Sequence, residues 1–101
     1  MRLSGVRAFV AVARCGSMTE AAAELGFTQS AISRQVADFE RYVGTKLLGR
    51  GPGGMRLTAA GVHAYPTAVE ILRLAESIAA ARPTAHGLPR VPPAARNVRH
   101  S

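Results

Sequence analysis

Ser17-Met18-Thr19-Glu20-Ala21-Ala22-Ala23-Glu24-Leu25-Gly26-Phe27-Thr28-Gln29-Ser30-Ala31-Ile32-Ser33-Arg34-Gln35-Val36 is the stretch that decides the fold. Ser17 and Glu20 form Ser-x-x-Glu, a pattern in which side chains satisfy the free N–H groups at a helix start. A short helix over 18–25 follows. Its Ala21, Ala22 and Ala23 let a neighbouring helix come close. Gly26 supplies the left-handed residue that ends it. Only Gly26 and Phe27 then separate it from Thr28, the N-cap of a longer helix over 29–43. Two helices joined by so short a turn fit the helix-turn-helix geometry.

Upstream, Leu3, Val6, Phe9, Val10 and Ala13 recur at helical spacing over 3–14, and Gly16 ends that helix. In the third helix the apolar row Ile32, Val36, Phe39 and Val43 predicts one core-facing side, and Gly44 is the stop. Downstream, Lys46-Leu47-Leu48-Gly49-Arg50 and Met55-Arg56-Leu57-Thr58 flank Gly51-Pro52-Gly53-Gly54. Two short strands joined by a tight turn are predicted there. Thr58 caps a fourth helix over 59–81, with Val62, Tyr65, Val69, Leu72 and Ile78/Ala79 close to a heptad row. Glu76 interrupts that row, and Pro66 requires a kink or a bend. The predicted fold is mainly α: a winged helix-turn-helix with a three-helix core and a two-stranded wing, followed by a long linker helix. The domains are residues 1–58, the long helix 59–81, and a Pro/Arg-rich tail over 82–101 that reads as disordered.

The side of the third helix opposite its apolar row carries Gln29, Ser30, Ser33, Arg34, Ala37 and Arg41. Acids begin only at Asp38. A solvated face ordinarily mixes Glu with Lys, and the first two turns hold neither. In a helix-turn-helix the second helix enters the major groove by its N-terminus. Arg34 suits a guanine edge and Gln29 an adenine edge. Ser33 reaches a base or a phosphate, and Thr28 with the free N–H groups of the first turn suits a phosphate oxygen. Arg50 and Arg56, at the stems of the wing, suit the DNA backbone or the adjacent minor groove.

Composition bounds the alternatives. The chain has 101 residues, a size for one modest helical core, and its 48% apolar content is too high for a disordered chain. The absence of Trp, with Ala and Leu carrying much of the apolar content, favours helices. The net charge of +7 suggests an anionic partner, but four of those charges lie in the acid-free tail as Arg82, Arg90, Arg96 and Arg99. Charge alone therefore does not establish DNA binding. Cys15 forms no internal disulfide, and a reducing, cytoplasmic setting is expected. The run Ala8–Ala13 is too short for a membrane span and short for a signal peptide. His63, His86 and His100 lack metal-ligand spacing, Cys15 has no evident partner, and Glu20/Glu24 and Glu70/Glu76 read as solvated positions. No enzyme, metal or cofactor is expected. Gly49-x-Gly51-x-x-Gly54 matches a dinucleotide fingerprint formally, but outside a βαβ unit it reads as a hairpin turn.

These motifs resemble the N-terminal domain of LysR-type transcriptional regulators over about residues 2–80. The resemblance rests on Phe9–Ala13, Gly16–Ala22, Leu25–Thr28, Gln29–Val36, Phe39-Glu40, Gly44, Leu47–Arg50 and Leu57–Gly61. It implies a bacterial transcription regulator binding double-stranded DNA, and homodimers paired through the fourth helix at Val62, Tyr65, Val69, Leu72 and Ile78. Family contacts to DNA map onto Thr28, Gln29, Ser30, Ser33, Arg34 and Arg50. The chain departs from the family at Leu48, often Phe, at Gly51, often Thr, and at Gly53, often a wing Arg. Family members normally carry a C-terminal effector-binding domain of two α/β lobes. Gly87–Val91 resembles the start of its first strand, and Pro92-Pro93-Ala94-Ala95 does not continue it. No small-molecule effector site is expected in this chain, which reads equally as an excised domain, a truncated product or a natural short regulator. A second function fits the same residues: a dimerisation partner that titrates full-length relatives. A third is salt-sensitive nonspecific binding through the tail.

Overall fold

A computed structural model describes residues 1–81; the tail reading for 82–101 falls outside the described residues. The element order is α1 Leu3–Cys15, α2 Met18–Leu25, α3 Gln29–Val43, β1 Leu48–Gly51, β2 Gly54–Leu57 and α4 Ala59–Ala80. The helix-turn-helix boundaries follow from their caps. Ser17 Oγ accepts from the Glu20 N–H at 3.0 Å, and Thr28 Oγ1 accepts from the Ala31 N–H at 3.1 Å. Between them Gly26 adopts φ +76°, a conformation that costs a residue with a Cβ about 1 kcal/mol or more.

The core lies where α1 crosses α2 and α3. Val6, Ala8, Phe9 and Val12 are fully buried against Ala21, Ile32, Val36 and Phe39. The Phe9 ring sits 5.6 Å from Phe39 and 6.2 Å, edge-on, from Tyr65 of α4. Aromatic pairs of this kind add about 0.5–1.5 kcal/mol each beyond burial of area. Arg14 of α1 pairs with Glu24 of α2 at the surface. That hydrogen bond and charge hold the Glu24 carboxyl below its ordinary value.

The structure corrects one expectation about packing and divides the residues of another. Val43 does not join the buried row of α3; it is 43% exposed. The row bends instead onto Glu40, which is buried at the i+4 step after Val36. The fourth-helix row likewise divides. Tyr65 and Leu72 pack against their own core, whereas Val62, Val69 and Ile78 are exposed. The reason is geometric. With 100° per residue, Gly61, Ala64, Tyr65, Ala68 and Leu72 form the stripe that closes on α1, and Ile78 lies about 160° round the axis from Val62. The helix runs through Pro66.

The wing is a two-stranded antiparallel ribbon pairing Leu48 with Leu57, Gly49 with Arg56, Arg50 with Met55 and Gly51 with Gly54. Its turn is therefore only Pro52-Gly53. The root of the ribbon is held from three sides. Glu40 Oε2 accepts the N–H groups of Leu47 and Leu48 at 2.8 and 3.1 Å. Thr58 Oγ1 donates to the Lys46 carbonyl at 2.7 Å and accepts from the Gly61 N–H at 3.0 Å. A Cβ on Gly61 would lie 2.0 Å from the Leu47 carbonyl oxygen, so α4 reaches the β1 entry only because this residue has none. Near the tip, the Met55 N–H donates to the Gly16 carbonyl at 3.1 Å. Gly54, at φ +126°, leaves room for that same carbonyl, which a Cβ would approach to 2.4 Å.

Candidate nucleic-acid interface

α3 has two chemically distinct sides. Ile32, Val36, Phe39 and Glu40 are buried, while Thr28, Gln29, Ser30, Ser33 and Arg34 are all exposed. The sequence separates these sides because apolar side chains recur every three or four residues. Burial of that stripe fixes which way the remainder points. At the start of α3, Thr28 caps the Ala31 N–H, and Ile32 N–H already bonds the Thr28 carbonyl. The amides of Gln29 and Ser30 stay free for an external acceptor. Thr28 Oγ1 also lies 3.3 Å from Ser30 Oγ. The helix start thus offers N–H groups, hydroxyls and the positive end of a helix dipole, the usual requirements for a phosphate oxygen.

Charge is distributed unevenly over this side. Among the described residues, Arg34, Arg50 and Arg56 have no carboxylate within salt-bridge distance, whereas Arg41 is paired with Asp38. Arg41, included in the polar side by spacing, therefore has its charge offset. Ala37 is only half-exposed.

The wing brings one of its two arginines to α3. Arg50 lines a shallow cleft with Gln29, Thr19, Ser17 and Gly16, between the starts of α2 and α3. Arg56 is opposite Gly49 in the ribbon, and side chains alternate faces along a strand. Arg50 and Arg56 consequently occupy opposite faces. The Arg56 stem lies across Gly51, where a Cβ would meet its Cδ at 2.5 Å. Sequence spacing could not show this, because the face of each residue depends on the turn being two residues long.

Sequence reasoning missed two residues of the site. Thr19 was part of a recognised motif without a role; its hydroxyl donates to Gln29 Oε1 at 3.1 Å. Glu40 ties α3 to the wing, and the available signal was a carboxylate at the core-facing i+4 step. Among the described residues, no group of three His, Cys, Asp or Glu side chains could hold a metal ion, and no helix is long and apolar enough to cross a membrane.

The model of a family described as "Bacterial regulatory helix-turn-helix protein, lysR family" matches residues 3–62. The chain belongs to the LysR family. Among LysR relatives, it is 43% identical over 77 residues to the HTH-type transcriptional regulator BudR of Raoultella terrigena, covering 76% of this chain and 27% of that protein. It is 43% identical over 89 residues to BudR of Klebsiella aerogenes, covering 87% and 62%. The chain thus spans about a quarter of the first of these relatives and under two thirds of the second. Two solved LysR structures share its winged-helix fold. The DNA-binding domain of CbnR in complex with DNA has a TM-score of 0.70 at 40% identity, covering 81% of this chain and all of that one. The BenM DNA-binding domain with catB site 1 DNA has a TM-score of 0.73 at 34% identity, covering 79% and 90%.

Proposed function

We propose that this chain is the DNA-binding part of a bacterial LysR-type transcriptional regulator, acting in the cytoplasm by sequence-specific binding to duplex DNA. The observation that carries the reading is the exposed, acid-free surface from Thr28 to Arg34 on a helix whose other side is locked into the core. Support comes from the CbnR and BenM relatives, both solved with DNA. In this reading α3 enters the major groove. Arg34 and Gln29 read base edges, Ser33 reads a base or a phosphate, and Thr28 and Ser30 hold the backbone. Arg50, beside Gln29, takes the flanking backbone, and Arg56 meets the backbone or minor groove from the far face of the wing. Residues 1–58 do the reading.

Residues 59–81 pair two copies. Val62 and Val69 are 61% and 41% exposed on one side of the helix, and Leu74 and Ile78 are 50% and 77% exposed on another, apolar side chains that water alone covers in one protomer. Tyr65 and Leu72, which the family resemblance places in the same contact, are partly buried against the core of their own protomer.

Selection of bound sequences from random duplexes at two salt concentrations tests the proposal. A defined motif, partly two-fold symmetric, is expected. Binding without any enriched sequence, equal for all duplexes and lost at the higher salt, would falsify it.

A further inference from the structure

Thr19 is the second residue of α2 and Gln29 the first of α3. Both side chains are exposed, yet the Thr19 hydroxyl donates to Gln29 Oε1 at 3.1 Å across the turn. The cleft they share is bordered by Arg50 and by the first turns of α2 and α3, with Glu20 the one acid in those turns. The amides of Met18 and Thr19 occupy the first turn of α2, where the helix offers no acceptor, and Ser17 caps only the Glu20 N–H. Arg50 lines the same cleft and brings a full positive charge. A carbonyl oxygen facing this cleft is favoured over an amide NH2 facing it. The side-chain amide of Gln29 is therefore held with its oxygen inward and Nε2 outward.

We infer that Thr19 is a specificity-determining positioning residue, which presents Gln29 to the major groove as a hydrogen-bond donor. This rests on the reading that α3 enters that groove. A glutamine free to rotate can offer either end of its amide, so it can donate to an acceptor or accept from an amino group. Held by Thr19, it offers the donor. Guanine presents O6 and N7, adenine N7 and thymine O4 as acceptors in the major groove, while cytosine presents only its N4 amino donor there. The contacted position rejects cytosine. Loss of the Thr19 hydroxyl lets the amide turn its oxygen outward and accept from cytosine N4.

The test is sequence selection from random duplexes with the full chain and the variants Gln29→Ala, Thr19→Val, Thr19→Ala and Thr19→Ser. Gln29→Ala identifies the base position concerned, because that position alone loses its preference. Thr19→Val and Thr19→Ala are expected to raise the share of cytosine there by roughly fivefold, the worth of one ordinary hydrogen bond. Other positions keep their profile, and Thr19→Ser retains discrimination. In Thr19→Val/Gln29→Ala the Thr19 effect disappears. An unchanged profile in Thr19→Val, a uniform loss of affinity across all sequences, or a Gln29→Ala variant that flattens no position would each overturn the inference while leaving DNA reading intact. A wild-type chain that enriches no sequence fails the earlier reading instead. The exposed position of Thr19 makes an unchanged melting temperature the folding control.

Discussion

At the scale of single residues, Arg34 and Arg50 carry the same charge but different work. Arg34 sits on the second turn of α3 and can span a guanine edge with two parallel N–H donors. Arg34→Ala is expected to weaken binding to the selected sequence by about 1–3 kcal/mol and to relax one base position. In the proposed reading Arg50 takes the flanking backbone. Arg50→Ala is expected to weaken binding to all sequences alike and to reduce the slope of log K against log salt by about 1. Mobility shifts with matched and mismatched duplexes over a salt series separate the two. A matching loss of base preference in Arg50→Ala would contradict the division. Arg34 was legible because its position follows from helical period alone. The Arg50 and Arg56 faces were not, because a ribbon's faces are set by the length of its turn. Thr19 was not legible either, since its partner lies ten positions away and the contact exists only once both helices are docked.

Elements were legible where side chains cap them. Ser17 and Thr28 start α2 and α3 at the expected positions because each accepts a first-turn N–H within its own local sequence. The wing was legible as a hairpin, but not its attachment, which depends on contacts of long sequence separation. Glu40 is the centre of that attachment, 7% exposed and bonded to two backbone N–H groups. Glu40→Ala strands both donors where water does not reach easily, at about 1–3 kcal/mol each. Thermal unfolding is expected to show a fall in stability of roughly 2–6 kcal/mol, with DNA affinity reduced further as β1 loosens. A variant that melts like wild type would mean that the N–H groups find other partners. α4 was legible as a helix but not in the division of its faces: its apolar residues cover more than one stripe, and only the docked α1 decides which stripe is used inside the protomer.

For the molecule as a whole, the exposed residues of α4 point to assembly. Leu74 and Ile78 share one side of the last turns and have no packing role in the core. Sedimentation is expected to give dimers for the wild type and monomers for Leu74→Asp/Ile78→Asp, with an unchanged helical spectrum. Binding to a two-fold site should fall with the loss of the second reading helix, whereas binding to a single motif should persist. A double variant that still sediments as a dimer would place the contact elsewhere, on Val62 and Val69 or on the exposed Tyr42 and Val43 at the end of α3. The formal charge of the described part is modest, and much of the excess lies in the last twenty residues. Salt dependence measured with and without those residues therefore separates attraction from recognition.

The grip of Glu40 on β1 ties the ribbon to α3, and the Met55–Gly16 bond ties its other strand to the turn between α1 and α2, so ribbon and helix act as one caliper. In the proposed reading the two meet the duplex as jaws at a set separation. Inserting a single base pair between the contacts of α3 and those of the ribbon rotates one contact set by about a tenth of a helical turn. A caliper that cannot open loses one jaw or the other, so such an operator should bind about as weakly as one lacking the outer contact altogether.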